Sequence, residues 1–125
     1  MKREIKFRAR ALSEKAEYVY FSLASNFGNR DEGAGVFYVN GNPALIGTEE
    51  QYTGLKDKNG KEIYEGDIIA AETPFDGRSM VWWNSTAAAF VLTSRIRADA
   101  YRLMSVNSSY EVIGNIHENP ELMPD

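Results

Sequence analysis

The stretch QYTGLKDKNGKEIYEGDII, residues 51–69, decides how the chain folds. It reads as two β-segments, Gln51 to Leu55 and Glu62 to Ile69, joined by a tight turn at Lys58-Asn59-Gly60-Lys61. Asn-Gly between strand-like flanks predicts a type I′ turn, which needs φ > 0 at both central residues. In the second arm, Gly66 precedes the apolar pair Ile68-Ile69 and predicts a bulge or kink there. Asp67 then has a structural role open to it, accepting backbone N–H groups around the bend.

Outward from this hairpin the pattern stays β. Residues 4–10 alternate, with Ile5, Phe7 and Ala9 on one face and Glu4, Lys6, Arg8 and Arg10 on the other. That period of two predicts a half-buried strand with a solvated basic face. Glu17 to Leu23 is apolar on both parities, as in a strand covered on two sides or paired at an interface. Ala24 to Gly35 reads as a long loop, functional or mobile. Val36 to Val39 is a short strand stopped by the turn cluster Asn40-Gly41-Asn42-Pro43, and Ala44 to Ile46 pairs briefly after it. Thr73 to Gly77 is a turn and Met80 to Trp83 a strand. Ala87 to Thr93 reads as extended, whereas Ser94 to Ala100 is open between strand and helix. Tyr101 to Val106 and Tyr110 to Ile116 form a last strand pair, and Asn119-Pro120 starts a single helical turn.

These elements predict one all-β domain over residues 1–125, with an N-terminal β segment at 1–50 and a small SH3-like barrel within 51–125. The length of 125 residues supports a single core, and 43% apolar residues with 15 aromatics fit a globular β-rich chain. Disulfides and thiolate metal sites are excluded because there is no cysteine. No apolar run is long enough to span a bilayer and residues 1–20 lack a signal-peptide core, so the expected location is the cytoplasm. A formal charge of −4 argues against wholesale polyanion binding.

Three segments resemble one family. Arg3 to Ala9 (REIKFRA), residues 52–68 (YTGLKDKNGKEIYEGDI) and Glu111 to Leu122 (EVIGNIHENPEL) are similar to the YopX proteins, small products of bacteriophages and prophages. The resemblance implies a β-rich fold with an SH3-like barrel in the C-terminal part, and it carries over no activity and no catalytic residue. Arg10 stands where the family often has tryptophan. Ser85 to Ala89 replaces a more acidic, glycine-containing turn.

Residues with chemistry are few. Asp57, Asn59 and Gly60 faintly suggest a calcium loop, but that alignment puts Leu55 and Gly66 at ligand positions, so a plain hairpin is the better reading. Glu65 and Asp67 share strand parity, yet solvation and backbone bonding explain them better than paired-acid catalysis. His117 is the only histidine, so zinc lacks ligands. Nucleotide and hydrolase fingerprints are absent. No catalytic residue, metal site or cofactor is expected.

Two binding readings remain. Lys6, Arg8, Arg10, Lys56, Lys58 and Lys61 are the candidates for nucleic-acid contact. Trp82 and Trp83, with Tyr18 and Tyr20, are the candidates for a protein interface. Adjacent strand residues face opposite sides, so a one-sided core covers only one of the two tryptophans. The expected function is therefore a non-enzymatic phage accessory module that binds a protein partner or its own copies. A nucleic-acid module is the alternative, and an enzyme of unknown type comes third.

Overall fold

The structure is a computed structural model and describes residues 5–13, 17–70, 78–93, 102–103 (main chain alone) and 110–122. Lys2, the 73–77 turn, Ser94 to Ala100 and the 107–109 turn lie outside the described residues. The fold is all-β, every pairing is antiparallel, and no described helix is long and apolar enough to cross a membrane. The chain divides into two compact units, Met1–Tyr52 and Thr53–Asp125.

In the first unit, β1 (Lys6–Arg10) pairs along its whole length with β2 (Tyr18–Ser22) and, through Phe7 and Arg8, with the start of β5 (Glu50–Lys56). β3 (Val36–Val39) and β4 (Asn42–Leu45) form a two-residue hairpin. Asn40 and Gly41 have φ of 50° and 83°, so the type I′ geometry belongs to this Asn-Gly pair. Ala9, Val36, Val39 and Ala44 are fully buried. Beside them Phe21 stacks on Phe7 with centroids 5.5 Å apart and meets Phe37 edge-on at 5.7 Å. The 24–35 segment is stitched along β3 by bridges Phe27↔Val39 and Asp31↔Val36, with the Gly28 N–H on the Tyr38 carbonyl and the Asp31 N–H on that of Val36.

In the second unit the distal half of β5 forms a hairpin with β6 (Glu62–Tyr64). Here the turn differs from the expected type I′. Asn59 does not have a positive φ, whereas Gly60 has φ 84°, and the Gly60 N–H donates to the Asp57 carbonyl at 3.0 Å. This is the three-residue loop in which a type I turn is followed by a left-handed glycine. The second arm is also not one strand. Gly66 (φ 87°) breaks it, and β7 (Asp67–Ala70) joins a different sheet.

That sheet runs β10-β9-β8-β7-β11, with β8 at Arg78–Asn84, β9 at Ala89–Thr93, β10 at Arg102–Leu103 and β11 at Glu111–Asn115. Of the stretch read as extended, Ala89 to Thr93 is strand, whereas Ala87 and Ala88 belong to the turn that joins β8 to β9, with Ala88 at φ 52°. Ile63, Ile69, Val81, Phe90, Leu92 and Tyr110 pack into one core under this unit. Among the described residues no sheet closes on itself, so the SH3-like barrel expected for 51–125 stands as an open five-stranded sheet. The described residues end in the predicted single turn at Pro120–Leu122, with the Leu122 N–H on the Asn119 carbonyl.

Candidate protein-interaction site

The two tryptophans owe their exposure to where β7 begins. β8 and β9 pair from Met80↔Thr93 out to Asn84↔Ala89, but the first pair between β7 and β8 is Ile68↔Met80. From Trp82 onward the β8–β9 ribbon therefore has no described strand on its β7 side, although Leu103 of β10 still pairs with Val91 across from Trp82. A strand without a neighbour on one flank covers its faces less well. Trp82 is 45% exposed and Trp83 40% exposed, on opposite faces. Trp83 leans edge-on against Phe90, its cross-strand partner, with centroids 5.0 Å apart. The expectation that one face of the core covers one tryptophan is corrected: both stay large and open.

Tyr18 and Tyr20 lie on β2 in the other unit. Tyr20 is 57% exposed. Tyr18 is half-buried, with its ring 4.0 Å from the Arg8 guanidinium and 5.0 Å from that of Arg10. Burial pushes the Tyr18 hydroxyl well above its usual range, the Arg8 charge pulls it back, and Glu50 adds to the rise. The phenol is thus held neutral. With Val39 and Pro43, these tyrosines line a cleft of about 380 Å³ beside the β3–β4 turn.

The basic candidates do not form the solvated face expected of them. Arg8 is only 4% exposed, and its Nε donates to Glu50 Oε1 at 2.9 Å. It is a buried ion pair and offers nothing to a phosphate. Lys6 lies 5.6 Å from the centre of the Tyr52 ring. Lys58 pairs with Glu111 at 3.2 Å, which leaves Lys56 and Lys61 as exposed lysines around the hairpin. Lys6, Arg8 and Arg10 belong to the first unit, and the three later lysines belong to the second.

Acidic residues with chemistry are engaged in folding. Asp57, 7% exposed, accepts N–H groups from Asn59 and Lys61 on Oδ1 at 2.8 and 2.9 Å, and from Val112 on Oδ2 at 3.0 Å. Burial alone would raise its pKa, but the three backbone N–H groups and the Lys61 charge outweigh it and hold the carboxyl below its usual value. Asp67 is 1% exposed and accepts the Tyr64 N–H at 2.8 Å across the Gly66 bend. His117 is exposed; Asn115 Oδ1 takes its N–H and that of Glu118. Among the described residues no group of three or more acids and histidines is placed to hold a metal ion. The role of Asp57 was missed from the sequence, although Asp is favoured at the first position of a type I turn.

No curated protein matches the chain. Among solved structures, a similar one is the crystal structure of protein EF1440 from Enterococcus faecalis. It is 26% identical, covers 94% of this chain and 96% of its own, and superposes with a TM-score of 0.45. The family model described as YopX protein matches residues 6–124, nearly the whole length. The chain belongs to the YopX family.

Proposed function

We propose that this protein is a non-enzymatic accessory module whose work is to bind another protein through the β8–β9 ribbon. The observation that supports it is the exposure of Trp82 and Trp83 on opposite faces of that ribbon. Large aromatics left open to water are the residues from which interface anchors are made, and burying each contributes about 2–3 kcal/mol. The resemblance in the central and terminal motifs supports reading it as a bacteriophage or prophage product that acts in the host cytoplasm. A non-enzymatic role is favoured because Asp57, Asp67, Arg8 and Glu50 are held by backbone groups or by each other.

The test is capture from lysed host cells, read by mass spectrometry, with wild type beside the Trp82→Ala/Trp83→Ala pair. A partner retained by wild type and lost by the double variant, at unchanged thermal unfolding, supports the role. Identical captures, or a nucleic acid recovered in place of a protein, would count against it.

A further inference from the structure

We propose that Asn40 is a self-modifying site, whose side-chain amide is converted to a carboxylate by the main-chain nitrogen of Gly41 with water as the only co-reactant. The site belongs to the first unit and stands independently of the binding role given to the β8–β9 ribbon.

The chemistry is a ring closure. The Gly41 nitrogen loses its proton and bonds to Cγ of Asn40, while the side-chain nitrogen gains a proton and leaves as ammonia. The five-membered imide then takes up one water, which opens it at either carbonyl. The products are aspartate at position 40, or an isoaspartyl link in which the main chain runs through the former side chain.

The chain holds two Asn-Gly pairs, and the fold sets them differently. Asn40 and Asn26 are joined twice: the Asn40 N–H donates to the Asn26 carbonyl at 2.7 Å, and the Asn26 N–H donates to Asn40 Oδ1 at 3.1 Å. That second donor faces the oxygen on which negative charge develops as the ring closes, the arrangement that stabilises an oxyanion. The nucleophile is free as well. Val39 and Asn42 make the closing pair of the hairpin, and the Gly41 N–H has no described partner. Gly41 is exposed, and a Cβ added to it would meet nothing within 4 Å, so approach to its nitrogen is open. At Asn59 both advantages are missing. The Gly60 N–H is engaged by the Asp57 carbonyl at 3.0 Å, and among the described residues no backbone N–H donates to the Asn59 side chain.

Modification changes the surroundings of Tyr18 and Tyr20. An isoaspartyl link adds a main-chain carbon to a two-residue loop whose strands it must keep in register. Aspartate adds a charge to the wall of the cleft that Asn40 lines with the two tyrosines.

Incubation of the folded full chain at mildly alkaline pH, followed by digestion and mass mapping, tests this, with Asn59 as the internal control. Asn40 should convert roughly tenfold faster than Asn59, well inside what one donor to a developing oxyanion supplies. In urea both pairs lose their surroundings, and the two rates should coincide. Asn26→Pro removes the donor N–H and should bring Asn40 down to the rate of Asn59, whereas Asn26→Ala keeps that N–H and should not. Should proline disturb folding, the ratio in the wild-type chain decides alone. Equal rates in the folded chain, a faster Asn59, or a ratio that persists in urea would each overturn the assignment.

Discussion

The carboxylate of Asp57 accepts the backbone N–H of Val112 at 3.0 Å, joining the central turn to β11 across 55 positions of sequence. The same carboxylate also closes its own turn through Asn59 and Lys61. One side chain thus fixes both a local loop and a strand far along the chain.

Asp57→Ala should lower stability by about 2–4 kcal/mol, because it leaves buried N–H groups without an acceptor. Urea denaturation reads this as a lower midpoint. The pH dependence has a definite sign. The folded carboxyl titrates below its unfolded value of about 3.9, so its contribution is full above that pH and is lost as pH falls through the folded value. Asp57→Asn should flatten the acid limb of the stability curve. An unaltered acid limb would remove Asp57 as its source.

The turn makes a second, sharper prediction. Gly60→Val should cost about 1–3 kcal/mol, since φ of 84° strains a β-branched residue. Asn59→Ala, whose backbone needs no left-handed conformation, should cost under about 0.5 kcal/mol. Equal losses from both substitutions would restore a type I′ turn.

Ala88 has φ of 52° at the tip of the ribbon. Ala88→Gly should raise stability by about 0.5–1 kcal/mol by relieving a left-handed alanine. Thermal unfolding that is unchanged or lower would show the strain to be absent.

Arg8 and Glu50 test the buried pair. Arg8→Ala alone should destabilise by about 3–5 kcal/mol, because Glu50 is left charged and dry, whereas Arg8→Met with Glu50→Leu should recover most of the loss. If the single substitution were harmless and instead abolished salt-dependent DNA binding, the basic-face reading would return.

Local chemistry announced much of this fold. The Gly66 break, the acceptor role of Asp67, the single turn at Pro120–Leu122 and the strands at 6–10, 36–39 and 89–93 all follow from residues close in sequence. Pairing at a distance stayed hidden. Arg8 reads as solvated because alternation cannot see Glu50, 42 positions away. Two Asn-Gly pairs look alike, yet Asp57 draws one of them into a type I turn and leaves Asn40-Gly41 the type I′ hairpin. Both tryptophans are open because β7 starts at Asp67, a strand limit that the Trp-Trp pair does not encode.

Gly66 has one more consequence. Its N–H is bonded to Val81 and its carbonyl receives the Ile116 N–H at 2.9 Å, so the most permissive residue of the central motif is clamped on both sides. It is a corner and not a joint. In native-state exchange its amide should belong with the slowest in the chain, opening only in global unfolding. A one-residue deletion there would turn every side chain of β7 inside out, exchanging Ile69 for Ile68 against the core. The motif therefore transmits spacing as strictly as chemistry, and lineages carrying it should vary its letters before its length.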